Sequence, residues 1–335
     1  MDLLTGATGY LGRHLAARLA ARGRSLRALV RVGTDLKRIP KEISEVVWGG
    51  LDDPKALARA THGIDTIYHV AARVSTGGSR AEFERDNVTC TENLLEAAEA
   101  SGVRRLVYVS SAGIYGSDAA AAEIREDTPL DPAIEQRGAY AWSKARADER
   151  VRRFAESSKL DVIVIRPGIL YGAEAKPFLG RLSFPVPRGR GRRIVVGSRK
   201  ALLPLTHVDN ACEAIALAGE RGRRGAAYNV IDGAVTQDDY FAQLASSGAS
   251  AMRPTYLSSA FFYPVALGCE VASRLARRSL PLTRYKLRRA TESLRYDTRA
   301  AREDLGWAPA LDLEAGVATL ARQTGRSSEQ RGAPG

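Results

Sequence analysis

The sequence predicts an α/β fold: a doubly wound parallel sheet with a smaller C-terminal α/β lobe. Three observations predict it. Short apolar runs alternate with helix-period segments over the first 170 residues, the pattern of successive βαβ units. A glycine-spaced turn (Gly6, Gly9, Gly12) follows the first apolar run and precedes the first helical one. Beyond residue 172 the alternation weakens and Gly, Pro and Arg accumulate, so a less regular lobe begins there.

Taken in order, strands are predicted at 2–5, 26–31, 45–49, 66–71, 105–111 and 161–168. Helices are predicted between them at 10–23, 53–63, 87–102 and 140–158. Leu11, Leu15, Leu19 and Ala20 fall at helical spacing in the first helix, and Gly23 and Gly102 stand where a helix end wants a left-handed residue. The stretch 173–200 reads as loop, 201–220 as a short strand and a helix, and 226–232 as a strand. Thr236 is placed to cap a helix over 236–248. Segment 256–278 is apolar with basic ends, but Ser258, Ser259, Pro264, Glu270 and Ser273 interrupt it, so it reads as a soluble or interfacial helix rather than a span. The resulting division is a sheet domain of 1–172 plus about 201–235, a substrate lobe of about 173–200 and 236–323, and a disordered tail at 324–335.

The net charge of +12 is carried mainly by arginine, with clusters at 188–193, 221–224 and 285–289. It fits either an anionic partner or a plain compositional bias toward Arg, and no nucleic-acid motif accompanies it. The three cysteines, Cys90, Cys212 and Cys269, show neither metal spacing nor a disulfide framework and read as small buried side chains. No metal is expected. A reducing cytoplasm fits, and no leader pattern is seen at the N-terminus.

TGATGYLG (5–12) sits between a strand and a helix. Gly6 permits a tight turn, Gly9 lets backbone N–H groups approach a pyrophosphate, and Gly12 allows close helix–strand packing, the logic of a Rossmann dinucleotide site. Gly6, Thr8, Gly9, Tyr10, Leu11 and Gly12 would then touch the cofactor. An acidic residue at the end of the second strand would favour NAD; ALVRVG places Arg31 there instead. A guanidinium at that place favours a 2′-phosphate, so NADP(H) is preferred, with NAD(H) open if Arg31 only covers the adenine.

Tyr140 and Lys144 stand four apart on a predicted helix and share a face. A phenol titrates near pH 10 and is a poor base until a neighbouring ammonium favours its anion. Ser110 and Ser111 end an apolar strand, at the edge where ligands bind such sheets, and a hydroxyl there can hold a carbonyl oxygen. No G-x-S-x-G elbow offers a hydrolase reading.

TGATGYLG, SSAGIYG, YAWSK and RPGILYG, in this order, resemble the extended short-chain dehydrogenase/reductase superfamily (the NAD-dependent epimerase/dehydratase family). The resemblance covers nearly the whole chain, including DNVTCTENLLEAA, VDNACEAI, YNVID and YDTRAAREDLGWAP. It implies that Tyr140 is the general acid/base, that Lys144 tunes it and holds the nicotinamide ribose, and that Ser111 polarises the carbonyl. It implies that Val70, Ala71, Ala72, Pro167 and Gly168 line the cofactor, and that Asn87 supports the site. Two positions depart from the pattern. Gly50 stands where the family has an adenine-contacting Asp, which moves that contact toward Leu51 and Asp52. Cys90 replaces a usual Gly.

Ser110, Ser111 and Ala112 stand in place of the Thr-Asp-Glu of dehydratases, which argues against dehydration. LPLTRYKLRRATESLRYDT (280–298) is similar to the 3β-hydroxysteroid dehydrogenase and dihydroflavonol reductase branch. The resemblance therefore implies NAD(P)H-dependent interconversion of a ketone and a secondary alcohol on a bulky apolar molecule. A sugar-nucleotide epimerase with tightly held NAD is the alternative, and an NADPH-binding regulator without chemistry a distant third. Ser75, Ala112, Gly113, Tyr171 and Phe178 are candidate substrate contacts; Phe184, Phe261, Phe262 and Tyr263 are further aromatics for the pocket or the core. A homodimer and contact of the basic, apolar 256–289 stretch with a membrane surface are further expectations.

Overall fold

The computed structural model describes residues 1–74, 78–116, 123–175, 177–178, 180, 182–187, 191–248, 250, 252–276 and 282–320. Ser75 and the 324–335 tail lie outside the described residues.

Six strands come from the first half: β1 (Asp2–Thr5), β2 (Leu26–Val30), β3 (Ile43–Trp48), β4 (Thr66–His69), β5 (Arg105–Val109) and β6 (Asp161–Pro167). With Ala227–Val230 they form one seven-stranded sheet in the order Ala227–Val230, β6, β5, β4, β1, β2, β3. Every pairing in it is parallel. The chain winds outward from β1 to β3, then returns and winds the other way from β4. The reversal falls between β1 and β4, so the crevice beyond their carboxyl ends is where a ligand would sit.

The strands are apolar on both faces because both are covered. Leu4, Val107, Val109, Ile163 and Ile165 point to a layer containing helices Tyr10–Ala21 and Val208–Arg221. The alternate residues Leu3, Leu106, Tyr108, Val162 and Val164 meet helices Pro54–Thr61, Cys90–Ala100 and Ala139–Ser157. The stretch Arg299–Leu305 and Trp307 packs back into the first layer, where the Trp307 indole donates to the Asn210 carbonyl at 2.9 Å.

Two departures from the sequence reading stand out. The 173–200 loop contains strands Ser183–Pro185 and Arg192–Val196, which pair antiparallel and extend to Arg253–Leu257 in a three-stranded sheet. The helix predicted from 87 begins earlier, at Arg80, behind a Ser79/Glu82 capping box, and passes through a π-helical stretch, Glu84–Thr89, before Cys90–Ala100. Cys90 and Cys212 are buried as expected, whereas Cys269 is half-buried.

Candidate active site

The glycine loop shows why each of two glycines is needed. Gly6 has φ +76°, and a Cβ there would lie 2.7 Å from the Ala71 nitrogen on the neighbouring strand end. A Cβ on Gly12 would lie 2.1 Å from the Gly6 carbonyl oxygen. The loop folds tightly under the helix that starts at Tyr10, with the Gly9 N–H donating to Gly6 O at 3.0 Å. No side chain caps that helix and its first turn holds no acid, so its first-turn N–H groups face the crevice as an anion cradle.

Arg31 is exposed directly after β2. Asp52 bends back over Gly50: its Oδ1 lies 2.1 Å from where a Gly50 Cβ would be, so its carboxylate occupies room that a longer residue at 50 would claim. Arg31 follows β2 and Asp52 follows β3, and these strands run parallel, so both residues stand at the carboxyl end of the sheet. Arg38, not singled out in the sequence, reaches the Thr8 carbonyl at 3.5 Å from the same side.

Across the crevice, Ser111 closes β5 and accepts from the Gly113 N–H at 3.1 Å, which shapes the turn that follows. Among the described residues, neither the buried Ser110 hydroxyl nor the buried Tyr10 hydroxyl has a hydrogen-bond partner. Tyr140 opens the Ala139–Ser157 helix with its phenol at the cleft; burial raises its pKa. Lys144, one turn on, donates to the Val109 carbonyl at 2.6 Å and to the Tyr108 hydroxyl at 3.0 Å. Burial pulls the Lys144 ammonium down to about 7, against the opposing charge of Asp148. The sequence reading had Lys144 lowering the Tyr140 pKa. In the folded chain burial is what acts on the Tyr140 phenol, and the Lys144 ammonium is seated on the end of β5.

A buried polar network holds the catalytic helix. Asp148 clamps the Arg166 guanidinium through bonds of 2.6 and 3.0 Å, both side chains fully buried. Arg166 also donates to the Tyr115 hydroxyl at 2.6 Å, which donates to Asn229 at 2.7 Å. Asn87, in the π-helical stretch, donates to Ser143 at 2.9 Å and accepts from the Arg73 N–H at 2.7 Å, tying the helix to the loop after β4. His69 is a strut, not a base. Thr91 donates its hydroxyl to the Asn87 carbonyl, so it accepts from His69 Nε2, and Nδ1 accepts from Thr5. Burial lowers the His69 pKa to about 3, and the ring is neutral.

The glycine loop and the Ser111, Tyr140 and Lys144 side border one cleft of about 480 Å³. It gathers Gly6, Gly9, Tyr10, Leu11 and Gly12 with Val70, Ala72, Ser111, Gly113, Tyr140, Lys144, Pro167 and Gly168. Thr8, Arg31, Leu51, Asp52 and Ala71 are not on its wall: Ala71 packs behind Gly6, Leu51 packs on the second core layer, and Arg31 and Asp52 are exposed.

Three substrate candidates are corrected. Tyr171 is 1% exposed and packs edge-on against His207 and Tyr240 in the small-lobe core. Phe178 packs on the same core. Ala112 is buried, and it offers only its carbonyl, to the Tyr296 hydroxyl. Tyr171 and Phe178 are of types that suit a pocket, but they pack on the small-lobe core. The cleft is instead completed by Val74, Ile169, Leu170, Pro204, Arg289 and Tyr296. Only Ile169 and Leu170, which follow Pro167–Gly168, carried a local signal. The others arrive through tertiary folding.

The residues present fit a dinucleotide: an uncapped helix end, a loop with no room for a side chain at Gly6 or Gly12, and two buried cleft hydroxyls without partners among the described residues. Residues 3–231 match the family profile described as NAD dependent epimerase/dehydratase. A ketoreductase of Stigmatella aurantiaca, named for 4-hydroxy-2-methyl-3-oxo-4-farnesyl-3,4-dihydroquinoline-1-oxide, is 35% identical over 231 residues, 69% of this chain and 68% of that one. A 2-alkyl-3-oxoalkanoate reductase of Stenotrophomonas maltophilia is 28% identical over 329 residues, 95% of this chain and 97% of that one. The crystal structure of gox2253 superposes with a TM-score of 0.81 at 29% identity, over 97% of this chain and 99% of that one. The chain belongs to the NAD-dependent epimerase/dehydratase family and is an NAD(P)-dependent oxidoreductase of the extended short-chain dehydrogenase/reductase type.

Proposed function

We propose that this protein reduces a ketone on a bulky, largely apolar small molecule to a secondary alcohol, or runs the reverse oxidation, and prefers NADP(H). The cleft carries the reading. Its hydroxyls, phenol and ammonium gather near Ser111, Tyr140 and Lys144, while Val74, Ile169, Leu170 and Pro204 supply hydrocarbon wall. The names of the two relatives, each a reductase of an oxo compound with hydrocarbon substituents, support it.

Gly6, Gly9, Tyr10, Leu11 and Gly12 would hold the pyrophosphate, and Val70, Ala72, Pro167 and Gly168 the nicotinamide half. When bound, the nicotinamide supplies or takes up the hydride. The Ser111 hydroxyl donates to the substrate oxygen and fixes its place. The Tyr140 phenol gives its proton to that oxygen as negative charge builds on it. Burial keeps this phenol protonated, which suits a proton donor. The Lys144 ammonium lies one turn away and favours the phenolate left behind. Because that ammonium titrates close to 7, reduction is expected to slow as pH rises through neutrality. Arg31 takes the 2′-phosphate, with Arg38 near the loop beside it, and Asp52 takes the adenine side.

The test is cofactor titration with NADPH and NADH on wild type and Arg31→Ala, followed by turnover on ketones with alkyl or prenyl tails. NADPH preference that collapses in the variant, with net cofactor consumption, is expected. NAD that copurifies, shows no net turnover and ignores Arg31→Ala would replace this reading with the epimerase one.

A further inference from the structure

The smaller lobe carries a surface helix whose outward face shows no charge among the described side chains. Helix Tyr263–Ala276 packs on the protein through Ala266, which is buried in a small cluster with Val196 and Leu287. At 100° per residue the opposite side presents Pro264, Gly268 and Ala272, flanked by Val265 and Leu267, all exposed; Tyr263, at the start of the helix, is exposed as well. Phe261, in the turn before, is 75% exposed, and Val265 is 55% exposed. Phe184 projects from the neighbouring strand and stacks on Phe262 at 6.3 Å between centroids. Half of the large apolar side chains exposed among the described residues fall in this one corner. The outward side of a surface helix is ordinarily polar or charged, and a contiguous apolar patch marks a place where something binds.

The surrounding charge indicates what binds. Residues 253–290 hold eight Arg and Lys against one acid, Glu270, which is more than half of the net charge of +12. Arg284 and Arg288 are exposed one turn apart on helix Arg284–Thr291, which packs against the apolar helix. The Arg284 guanidinium meets Glu270 at 2.8 Å and lies 6.0 Å from the Tyr263 ring centroid.

We infer that this corner is a docking surface for an anionic lipid bilayer. Phe261, Val265 and Leu267 enter the headgroup–acyl boundary, and Arg284 and Arg288 meet the lipid phosphates. A second copy fits less well, because a two-fold contact through this face would press two like-charged rims together. Among the described residues no helix is long and apolar enough to cross a membrane, so the contact lies in the plane of the surface. The helix that carries Arg284 and Arg288 also brings Arg289 to the cleft wall, so the docked face stands one helix away from the cleft. The docking surface rests on exposure and charge, not on the proposed substrate.

The test is flotation of the full chain with phosphatidylcholine vesicles and with vesicles containing phosphatidylglycerol, at low and high salt. At least tenfold more protein should float with the anionic vesicles, and salt should reduce it. Phe261→Ser with Val265→Ser should cut that binding at least tenfold. Arg284→Gln with Arg288→Gln should remove the preference for anionic lipid. Both double variants should melt like wild type and bind NADPH equally. The inference is overturned if wild type does not float with anionic vesicles or if the serine variant floats equally well. It is also overturned if light scattering shows a dimer that the serine variant dissolves, since the face would then belong to a second copy. Ketone turnover without vesicles is measured separately, so loss of that activity leaves the docking result readable.

Discussion

The two halves of this molecule use their residues differently. In the half that would hold the cofactor, β1, β4 and β5 are buried along their whole length, and the polar side chains of the Arg166 network inside find one another. In the substrate-side lobe, strand Ser183–Pro185 has no buried residue and neither does Arg253–Leu257. One half is closed on itself around a binding loop that tolerates no added atom. The other is closed only in part and leaves apolar surface facing outward. A dinucleotide presents the same pyrophosphate and ribose to every enzyme that uses it, which rewards a rigid cradle. Substrates differ, which rewards a lobe that can be rebuilt without disturbing the sheet.

The sharpest way to break that contrast is at the groups in the cleft. Tyr140→Phe removes only the phenolic hydroxyl, and kcat for ketone reduction is expected to fall about 10³-fold, with melting temperature and NADPH affinity unchanged. Retained turnover would assign the proton to another group. Asp148→Asn acts on the frame beneath. It leaves the fully buried Arg166 guanidinium without its counter-charge and should destabilise the fold by about 3–5 kcal/mol in urea titration.

Much of the rigid half was legible because its physics is local. The strands at 26–30, 105–109 and 161–167 announce themselves as apolar runs, and the glycine loop by spacing. What was not legible depends on distant partners. Strands Ser183–Pro185 and Arg192–Val196 hide in a Gly-, Pro- and Arg-rich stretch and exist because each pairs with another. Tyr171 and Phe178 had the right chemistry for a pocket, yet only the fold shows that they face a core. Arg289 and Tyr296 line the cleft from about 150 residues beyond Tyr140 and no spacing rule points to them. The seat of Lys144 on Tyr108 and Val109 is likewise a product of the sheet bringing β5 beneath the helix.

That seat and the His69 strut give predictions of intermediate size. Tyr108→Phe removes an acceptor of the ammonium, which disfavours the charged form. The pH at which reduction falls off should shift below neutrality, with kcat affected more than KM. An unmoved profile would make Tyr108 merely structural. For His69, the folded pKa of about 3 lies below the unfolded value near 6.5. The unfolded chain therefore binds the extra proton first as pH falls. The stability His69 contributes is complete above about 6.5 and is lost progressively toward 3. His69→Gln should lower the melting temperature at pH 7 and flatten its decline between pH 6.5 and 4; a decline as steep as wild type would place acid sensitivity elsewhere.

The last contrast needs one methyl group in each half. A Cβ at Gly12 meets the Gly6 carbonyl at 2.1 Å, backbone against backbone, with no flexible side chain to give way. Gly12→Ala should open the loop and weaken NADPH binding at least tenfold. Gly268 lies in the exposed apolar helix, and a Cβ there meets nothing within 4 Å among the described residues. Its backbone already has helical geometry, so alanine loses less chain entropy on folding. Gly268→Ala should raise stability by about 0.5–1 kcal/mol and leave cofactor binding and turnover unchanged. The same substitution thus reads opposite signs from the two halves, because one glycine is held by contact and the other by nothing. A destabilised Gly268→Ala would mean that the helix packs outward against a surface already in place, such as a second copy, and a clash on titration with concentration would reveal it.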